Sequence, residues 1–351
     1  MTAPGRKVRI GIIGAGAFAN THMEQFAKLP NVEVVAFHRR NAEALAEMQR
    51  KWDVPNGFTD HRKMLEMPGL DAVDIVTPTN SHKLYAIEAA RAGKHVLCDK
   101  PLAMTADDCR EMLEAADNAG VIHSTNFNQR GNTVLGRMKR YMDSGFVGKV
   151  YHANIWWGMS YAADARPDAL SWRLRPESAG GSVYELIHVF DMARFIGGEV
   201  SRICAKLETH QKSRSFQDAP EGFEVKVPDS SAFFVEWRDG GYAVMHTSFA
   251  SRGTDSDGKT HARIEISGEK GRIVSDGRMA LQGNTGPNGP LVQLEPGPPY
   301  PQPYERFVNA VASGDKSKIE TTFYDGYKAA QLVDAAYLSW ETGGWVDIPN
   351  D

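Results

Sequence analysis

Gly11-Ile12-Ile13-Gly14-Ala15-Gly16-Ala17-Phe18-Ala19 continues the apolar run Val8-Arg9-Ile10 and precedes a helical pattern through His22 to Leu29. A strand that ends in a glycine turn and opens into a helix is the setting in which a G-x-G-x-x-A core has physical meaning. Here that core is Gly14, Gly16 and Ala19. The first glycine permits the tight turn, the second lets backbone approach a pyrophosphate, and the small third residue lets the helix pack closely on the strand. The helix N-terminus then offers N–H groups and the positive end of its dipole to the phosphates. Gly14, Ala15, Gly16, Ala17, Phe18 and Ala19 are therefore expected to hold a dinucleotide, provided the surrounding sequence supplies the right sheet.

It does. VEVVAFH (32–38), AVDIVTP (72–78), HVLCDKP (95–101) and VIHSTNF (121–127) are apolar strands. Between them lie helical patterns at 41–51, 81–92 and 106–118. Such alternation predicts a doubly wound Rossmann domain, a parallel sheet with helices on both faces, over residues 1–127. After its second strand a dinucleotide domain usually places a carboxylate for the ribose diol, but Arg39 and Arg40 stand there instead. Their forked cations suit a 2'-phosphate, so NADP(H) is the preferred cofactor and NAD(H) the other possibility.

Beyond Phe127 the pattern changes. One helical stretch (134–144) leads to the strands KVYHANIWW (149–157), SAFFVEW (231–237), YAVMHTSFA (242–250), ARIEISG (262–268) and RIVSD (272–276). Residues 128–351 are expected to form an α+β substrate domain with a large open, predominantly antiparallel sheet. Segments 211–228 and 283–303 read as loops, and helices over 304–313 and 324–341 close the chain. An apolar sheet face left open predicts a homodimer or homotetramer that covers it.

Composition narrows the function classes. A chain of 351 residues with 42% hydrophobic and 24% charged residues and a net charge of -4 is an ordinary two-domain globular protein with no bias toward nucleic acid. No apolar run reaches the ~18 residues of a membrane span, and the N-terminus lacks the pattern of a secretory leader, so a cytoplasmic location is expected. Cys98, Cys109 and Cys204 are scattered, which suggests neither a disulfide framework nor a metal site.

Three groups of residues carry candidate chemistry. Lys100 stands at the carboxyl edge of the fourth apolar strand, where ligands bind in such sheets, with Asp99 beside it. A lysine there can hydrogen-bond a substrate hydroxyl and favour its alkoxide character during hydride transfer. In the stretch from Gly180 to Asp191, Glu185, His188 and Asp191 are spaced by three, so one helix would place them on one face as a proton relay. His188 is the group among them that exchanges protons near neutrality. A metal-binding role is disfavoured because no cysteine or second histidine accompanies the triplet, and a satisfied structural histidine is the plain alternative. Upstream, Trp172 offers a flat face for a ring and Arg173 a forked donor.

These pieces, with TPTNSH (77–82), AGKHVLCDKPLAMT (92–105), FNQR (127–130), SWRLRPESAGG (171–181), ELIHVFDMARF (185–195) and SGEKGRIV (267–274), resemble the Gfo/Idh/MocA oxidoreductase family over nearly the whole chain. The resemblance implies hydride transfer between a nicotinamide and a secondary hydroxyl or carbonyl of a sugar, sugar derivative or cyclitol. It implies that Lys100 is the catalytic lysine, preceding a cis bond to Pro101, and that His188 is the acid/base, oriented by Glu185 or Asp191. Thr77, Pro78, Asn80, His82, Asp99 and Lys100 would line the cofactor cleft, with Trp172 and Arg173 near both nicotinamide and substrate. Asn128 and Arg130 would join Lys100, Trp172, Arg173 and His188 around the substrate. Two departures matter: Tyr184 stands where inositol-dehydrogenase-like members carry an aspartate four residues before the histidine, and Asp99 replaces a commoner glutamate. Some members cleave glycosides by transient oxidation with tightly held NAD and others act as cofactor-sensing regulators, so these are the competing classes.

Overall fold

Apolar strands short enough to be covered on both faces dictate the first half of the fold. In the computed structural model, residues 6–131, 133–160, 171–178, 180–251, 260–275, 280–295, 297–298 and 300–351 are described. From the N-terminus run β1 (Val8–Ile13), α1 (Ala19–Phe26), β2 (Val32–His38), α2 (Ala42–Trp52), β3 (Asn56–Phe58) and α3 (His61–Leu65). There follow β4 (Ala72–Ile75), α4 (His82–Arg91), β5 (His95–Cys98), α5 (Ala106–Asn118) and β6 (His123–Thr125). The six strands pair in parallel in the order β3-β2-β1-β4-β5-β6. The chain runs outward from β1 to β3 and returns to β4 on β1's other side. Ligands bind outside the carboxyl ends of strands at such a reversal, and the glycine turn leaves β1 there. One face of the sheet buries Ile13, Val73, Val96 and Met112, and the other Ile12, Leu97 and Phe307. Both β3 and α3 escape the sequence pattern, because Asn56-Gly57-Phe58 has no apolar alternation.

The second half begins with α6 (Thr133–Asp143), β7 (Val150–Met159), α7 (Ser182–Glu185), α8 (His188–Gly197) and β8 (Val200–Glu208). Then come β9 (Ser213–Phe216), β10 (Ala219–Glu224), β11 (Ser230–Trp237), β12 (Tyr242–Ser248), β13 (Thr260–Gly268), β14 (Gly271–Ser275), β15 (Leu281–Thr285), β16 (Val292–Gln293) and, near the C-terminus, β17 (Val346–Asp347). Nine of these strands form one sheet in the order β16-β15-β14-β13-β7-β12-β11-β8-β17. Only β7 and β12 pair in parallel. Period-two alternation turns Ala153, Ile155, Ala243, Met245, Phe233 and Val235 inward, with α8 lying over β7 and β12. Trp156, Tyr242 and Val244 point to the opposite face and remain exposed.

Two expectations are corrected. Residues 211–228 are not a loop: β9 and β10 pair as an antiparallel hairpin whose Phe216 is buried with Val225 and Val227. Likewise 283–303 contains the end of β15 and all of β16. The domain division also differs from a single cut after residue 127. One compact unit comprises Met1–Asn128 with Pro301–Ala330, the other Gln129–Tyr300 with Gln331–Asp351. Helix α9 (Pro303–Ser313) returns to the first unit, where Phe307 and Val308 enter its core, and α10 (Phe323–Thr342) starts there and ends in the second. Among the described residues no helix is long and apolar enough to cross a membrane.

Candidate functional site

At the end of β1 the chain folds back on β2, with the Gly14 and Ala15 N–H groups both donating to the His38 carbonyl oxygen at 3.0 Å. Gly14 has φ +99°, and a Cβ there would lie 2.6 Å from Thr77 Cγ2 and 2.7 Å from the Val76 carbonyl oxygen. Only glycine fits. At Gly16 a Cβ would meet nothing nearer than the Gly14 oxygen at 3.9 Å, so the missing side chain leaves a cradle the protein itself does not fill. Phe18 at the N-cap of α1 supplies no side-chain acceptor, and the Asn20 and Thr21 N–H groups turn back to the Ala17 and Phe18 carbonyl oxygens at 3.3 and 3.0 Å. An open cradle at the positive end of a helix is what a pyrophosphate requires.

The two arginines after β2 differ. Arg39 Nη1 donates to the carbonyl oxygens of Ala15 (3.2 Å) and Ala44 (3.3 Å), which ties its guanidinium to the glycine turn and to the first turn of α2. Arg40 is exposed. The next side chain, Asn41, is spent accepting from the Ala44 N–H as the cap of α2.

Lys100 owes its place to the strand ladder. The Asp99 N–H donates to Ile75 (2.9 Å) and Asn126 N–H to Cys98 (2.8 Å), so pairing continues through Asp99 and Lys100 is the first residue beyond it. The Lys100–Pro101 peptide is cis, and Lys100 is half-buried. Asn126 Nδ2 donates to Asp99 Oδ1 (3.2 Å) and to Tyr304 Oη (2.7 Å), a partner of Asp99 that sequence reasoning missed. Pro78 and Asn80 are exposed, whereas Thr77 is half-buried and its Oγ1 accepts from Ser81 Oγ at 2.8 Å. His82, expected at the cofactor cleft, is buried, with Nε2 2.8 Å from the Thr77 carbonyl oxygen and Nδ1 3.0 and 3.2 Å from those of Pro101 and Leu102. It braces the two loops against each other. Burial pulls its pKa below the ordinary histidine value, against the opposing pull of Asp99 and these carbonyls.

Behind this edge His22 Nδ1 and Asp74 Oδ2 meet at 2.8 Å, both fully buried. Burial disfavours charge on both groups; it raises the pKa of Asp74, while for His22 the Asp74 carboxylate outweighs it and raises the pKa.

In the second unit, Trp172 and Arg173 sit on a 3₁₀ turn, Ser171–Leu174, with the Arg173 guanidinium 4.2 Å from the centre of the Trp172 ring. Arg173 also lies 3.9 Å from Glu185. The expected single helix through Glu185, His188 and Asp191 is two helices: Glu185 ends α7, Leu186 and Ile187 intervene, and His188 opens α8. The backbone between them turns through Ile187 N–H to the Tyr184 carbonyl oxygen at 3.2 Å and Val189 N–H to that of Leu186 at 3.1 Å. Asp191 is the third residue of that spacing. It is fully buried in a forked pair with Arg130, Nη2–Oδ1 2.6 Å and Nε–Oδ2 3.0 Å. Arg130, expected at the substrate, is itself buried by this pairing. The buried His188 ring lies nearly parallel to the Trp157 indole, 18° apart with centroids 5.7 Å apart. The inward position of Trp157 in the alternation of β7 was the signal that could have found it. Asn128 is the last residue of the first unit. Among the described residues, no group of three His, Cys, Asp or Glu is placed to hold a metal ion.

Comparison with known proteins agrees with this anatomy. Residues 8–127 match the model of an oxidoreductase family with an NAD-binding Rossmann fold, and residues 135–274 match the GFO/IDH/MocA C-terminal domain. The chain is 28% identical to levoglucosan dehydrogenase of Pseudarthrobacter phenanthrenivorans, over 98% of this chain and 99% of that one. It is 31% identical to myo-inositol 2-dehydrogenase of Thermotoga maritima, over 77% and 75%. The solved structure of levoglucosan dehydrogenase in complex with NADH superposes with a TM-score of 0.87 at 26% identity, covering 99% of this chain and 100% of that chain.

Proposed function

The chain belongs to the Gfo/Idh/MocA oxidoreductase family, and from that premise we propose that it moves a hydride between a nicotinamide dinucleotide and a secondary hydroxyl or carbonyl of a sugar, sugar derivative or cyclitol. The observation that carries this reading is the open cradle at Gly16 beside the uncapped start of α1. The bound nicotinamide supplies the hydride donor or acceptor at its C4. Everything else falls to the protein. Lys100, fixed one residue past the sheet, hydrogen-bonds the reacting oxygen and stabilises its alkoxide character. His188 accepts that proton in oxidation and returns it in reduction. Trp172, with Arg173 stacked on it, presents a flat face and forked donors to substrate hydroxyls.

NADP(H) is the preferred cofactor in this reading. No carboxylate follows β2, and Arg39 holds a cation against the turn while Arg40 remains exposed. Each charge-assisted bond to a 2'-phosphate is worth about 1.5–3 kcal/mol. Replacing both arginines by alanine should then raise the KM for NADPH by at least tenfold and leave that for NADH nearly unchanged. Equal use of both cofactors by the unaltered protein would reject the preference. The exposed sheet face carrying Trp156, Tyr242 and Val244 supports a homodimer or homotetramer closed through that sheet, and a monomer by sedimentation at micromolar concentration would overturn it.

The decisive experiment is a panel of free sugars, cyclitols and glycosides, scanned with NAD and NADP separately, alongside Lys100→Ala and His188→Ala. Net reduced cofactor from a polyol, lost in both variants, is the expected result. Aglycone release without net reduction would replace it with redox-neutral glycoside cleavage. Turnover indifferent to both substitutions would reject the mechanism.

A further inference from the structure

Lys100 is flanked in the chain by residues held from two buried side chains to which the reaction above assigns no part. On its N-terminal side stands Asn126, just after β6. The Asn126 backbone N–H donates to the Cys98 carbonyl oxygen at 2.8 Å and its Nδ2 to Asp99 Oδ1 at 3.2 Å, so one residue holds the two that precede the lysine. On the C-terminal side stands His82, the first residue of α4. Its Nδ1 lies 3.0 and 3.2 Å from the carbonyl oxygens of Pro101 and Leu102, the two residues that follow the lysine.

Packing alone does not explain an asparagine at 126. Both Nδ2 protons are engaged, the second on Tyr304 Oη at 2.7 Å, while Oδ1 is buried with no hydrogen-bond partner among the described residues. Leucine in the same place would leave no acceptor orphaned. What the amide adds is its hold on Asp99. Tyr304 comes from α9, with its ring edge-on to His22 and Phe26. Burial first, and then the carboxylates of Asp99 and Asp74, push its phenol well above the ordinary tyrosine value, so it stays a neutral hydroxyl. An amide turned the other way would set its oxygen against the Asp99 carboxylate.

His82 reaches further. Its Nε2 lies 2.8 Å from the Thr77 carbonyl oxygen, and Thr77 packs so closely on the glycine turn that a Cβ on Gly14 would come within 2.6 Å of its Cγ2. The imidazole therefore stands between the loop that touches the pyrophosphate turn and the two residues after Lys100. Carbonyl oxygens only accept, so a neutral ring bonds one side, and the two carbonyls facing Nδ1 favour the proton there.

We infer that Asn126 and His82 are positioning residues for Lys100, bracketing it in the chain so that its backbone keeps a fixed place relative to the glycine turn. The inference rests on the role given to Lys100 in the proposed reaction, and its test separates the two.

Deuterium exchange of the peptide from Val96 to Met104, followed by mass spectrometry on the full chain without substrate, reads the bracket directly. Asn126→Leu, and His82→Gln, which keeps an N–H near the place of Nε2 only, should each speed that exchange by roughly three- to tenfold, the worth of one ordinary hydrogen bond. His82→Asn, whose N–H lies near the place of Nδ1, should stay close to the parent. Exchange along β1 should not change. With the polyol turned over fastest in the panel above, kcat should fall roughly ten- to a hundredfold in Asn126→Leu and His82→Gln and least in His82→Asn, while NADPH affinity by nicotinamide fluorescence moves less than about twofold. Loss of packing alone would not rank the two His82 variants in that order. Tyr304→Phe, which keeps the ring and removes the acceptor that orients the amide, replaces Asn126→Leu should that one not fold. Parent-like exchange of this peptide in both variants overturns the inference, as does a rise spread evenly over the chain or a kcat that ignores a local rise. If exchange rises locally but the panel yields no turnover, the bracket stands and the proposed reaction falls.

Discussion

Breaking the Arg130–Asp191 pair tests whether Asp191 serves chemistry or architecture. The side chains are 6% and 0% exposed, joined through Arg130 Nε and Nη2, and the guanidinium also lies 4.8 Å from the centre of the Phe195 ring. Asp191→Ala leaves a guanidinium buried with no carboxylate, and Arg130→Ala leaves the converse. Removing one partner of such a pair costs about 3–5 kcal/mol, most of it the penalty of the charge left behind. For a unit of this size each kcal/mol lowers the melting temperature by roughly 2–4 °C, so either single variant should melt about 6–20 °C lower. The double variant Arg130→Met/Asp191→Leu leaves no orphaned charge and should recover most of that loss. Thermal melts by circular dichroism, with kcat measured well below the lowest melting point, give both quantities. The reasoning is refuted if Asp191→Ala melts within a degree or two of the parent while kcat collapses, since the carboxylate would then be acting on the reaction and not on the fold.

Two further outcomes follow from the first unit. Gly14→Ala places a Cβ at 2.6 Å from Thr77 Cγ2 on a backbone with φ +99°, whereas Gly16→Ala meets no protein atom within 3.4 Å. The first should therefore lose both stability, by about 1–3 kcal/mol, and dinucleotide affinity, while the second melts as the parent and loses affinity alone. Nicotinamide fluorescence titration beside a melt decides it, and an unimpaired Gly16→Ala would mean that its Cβ does not face the pyrophosphate. His38, buried at the end of β2, has its pKa lowered from 6.5 to about 4, chiefly by burial and secondly by the nearby His61. A histidine depressed in this way contributes stability above its unfolded pKa that is lost as the pH falls from 6.5 toward 4, about 3 kcal/mol in all. Urea denaturation across that window should show a slope that His38→Asn flattens; identical slopes would place the imidazole in contact with water.

What could be read beforehand follows the range of the interaction concerned. The strands of the first unit and the turn at Gly14 were legible because each is set within a few residues: buried parallel strands need continuous apolar runs, and φ > 0 needs glycine. Lys100 at the sheet edge could be placed for the same reason. The hairpin of β9 and β10 was missed because Ser213-Arg214-Ser215-Phe216 has little apolar content, its Phe216 finding cover in a cluster with Leu174, Leu186, Val225, Val227 and Phe249. The return of α9 to the first unit depends on contacts such as Phe307 with that unit's core, nearly two hundred residues from where the unit breaks off. Partners were the least legible. Nothing local says that Asp191 will find Arg130, 61 residues away, or that His82 will brace Thr77 against Pro101.

The departure at Tyr184 and Glu185 takes on a physical meaning at this point. A carboxylate one turn before a histidine is its neighbour on a continuous helix. Here α7 stops at Glu185 and α8 begins at His188, and Glu185 lies instead against Arg173. Asp191, one turn further along α8, is paired with Arg130. Each carboxylate thus faces a guanidinium, and whether either also serves His188 is measurable. A carboxylate that stabilises the imidazolium raises the pH at which the base is lost to protonation, so neutralising it moves the acidic limb of kcat/KM to lower pH. Glu185→Gln should leave that limb in place, and a limb displaced to lower pH would restore the carboxylate to the relay.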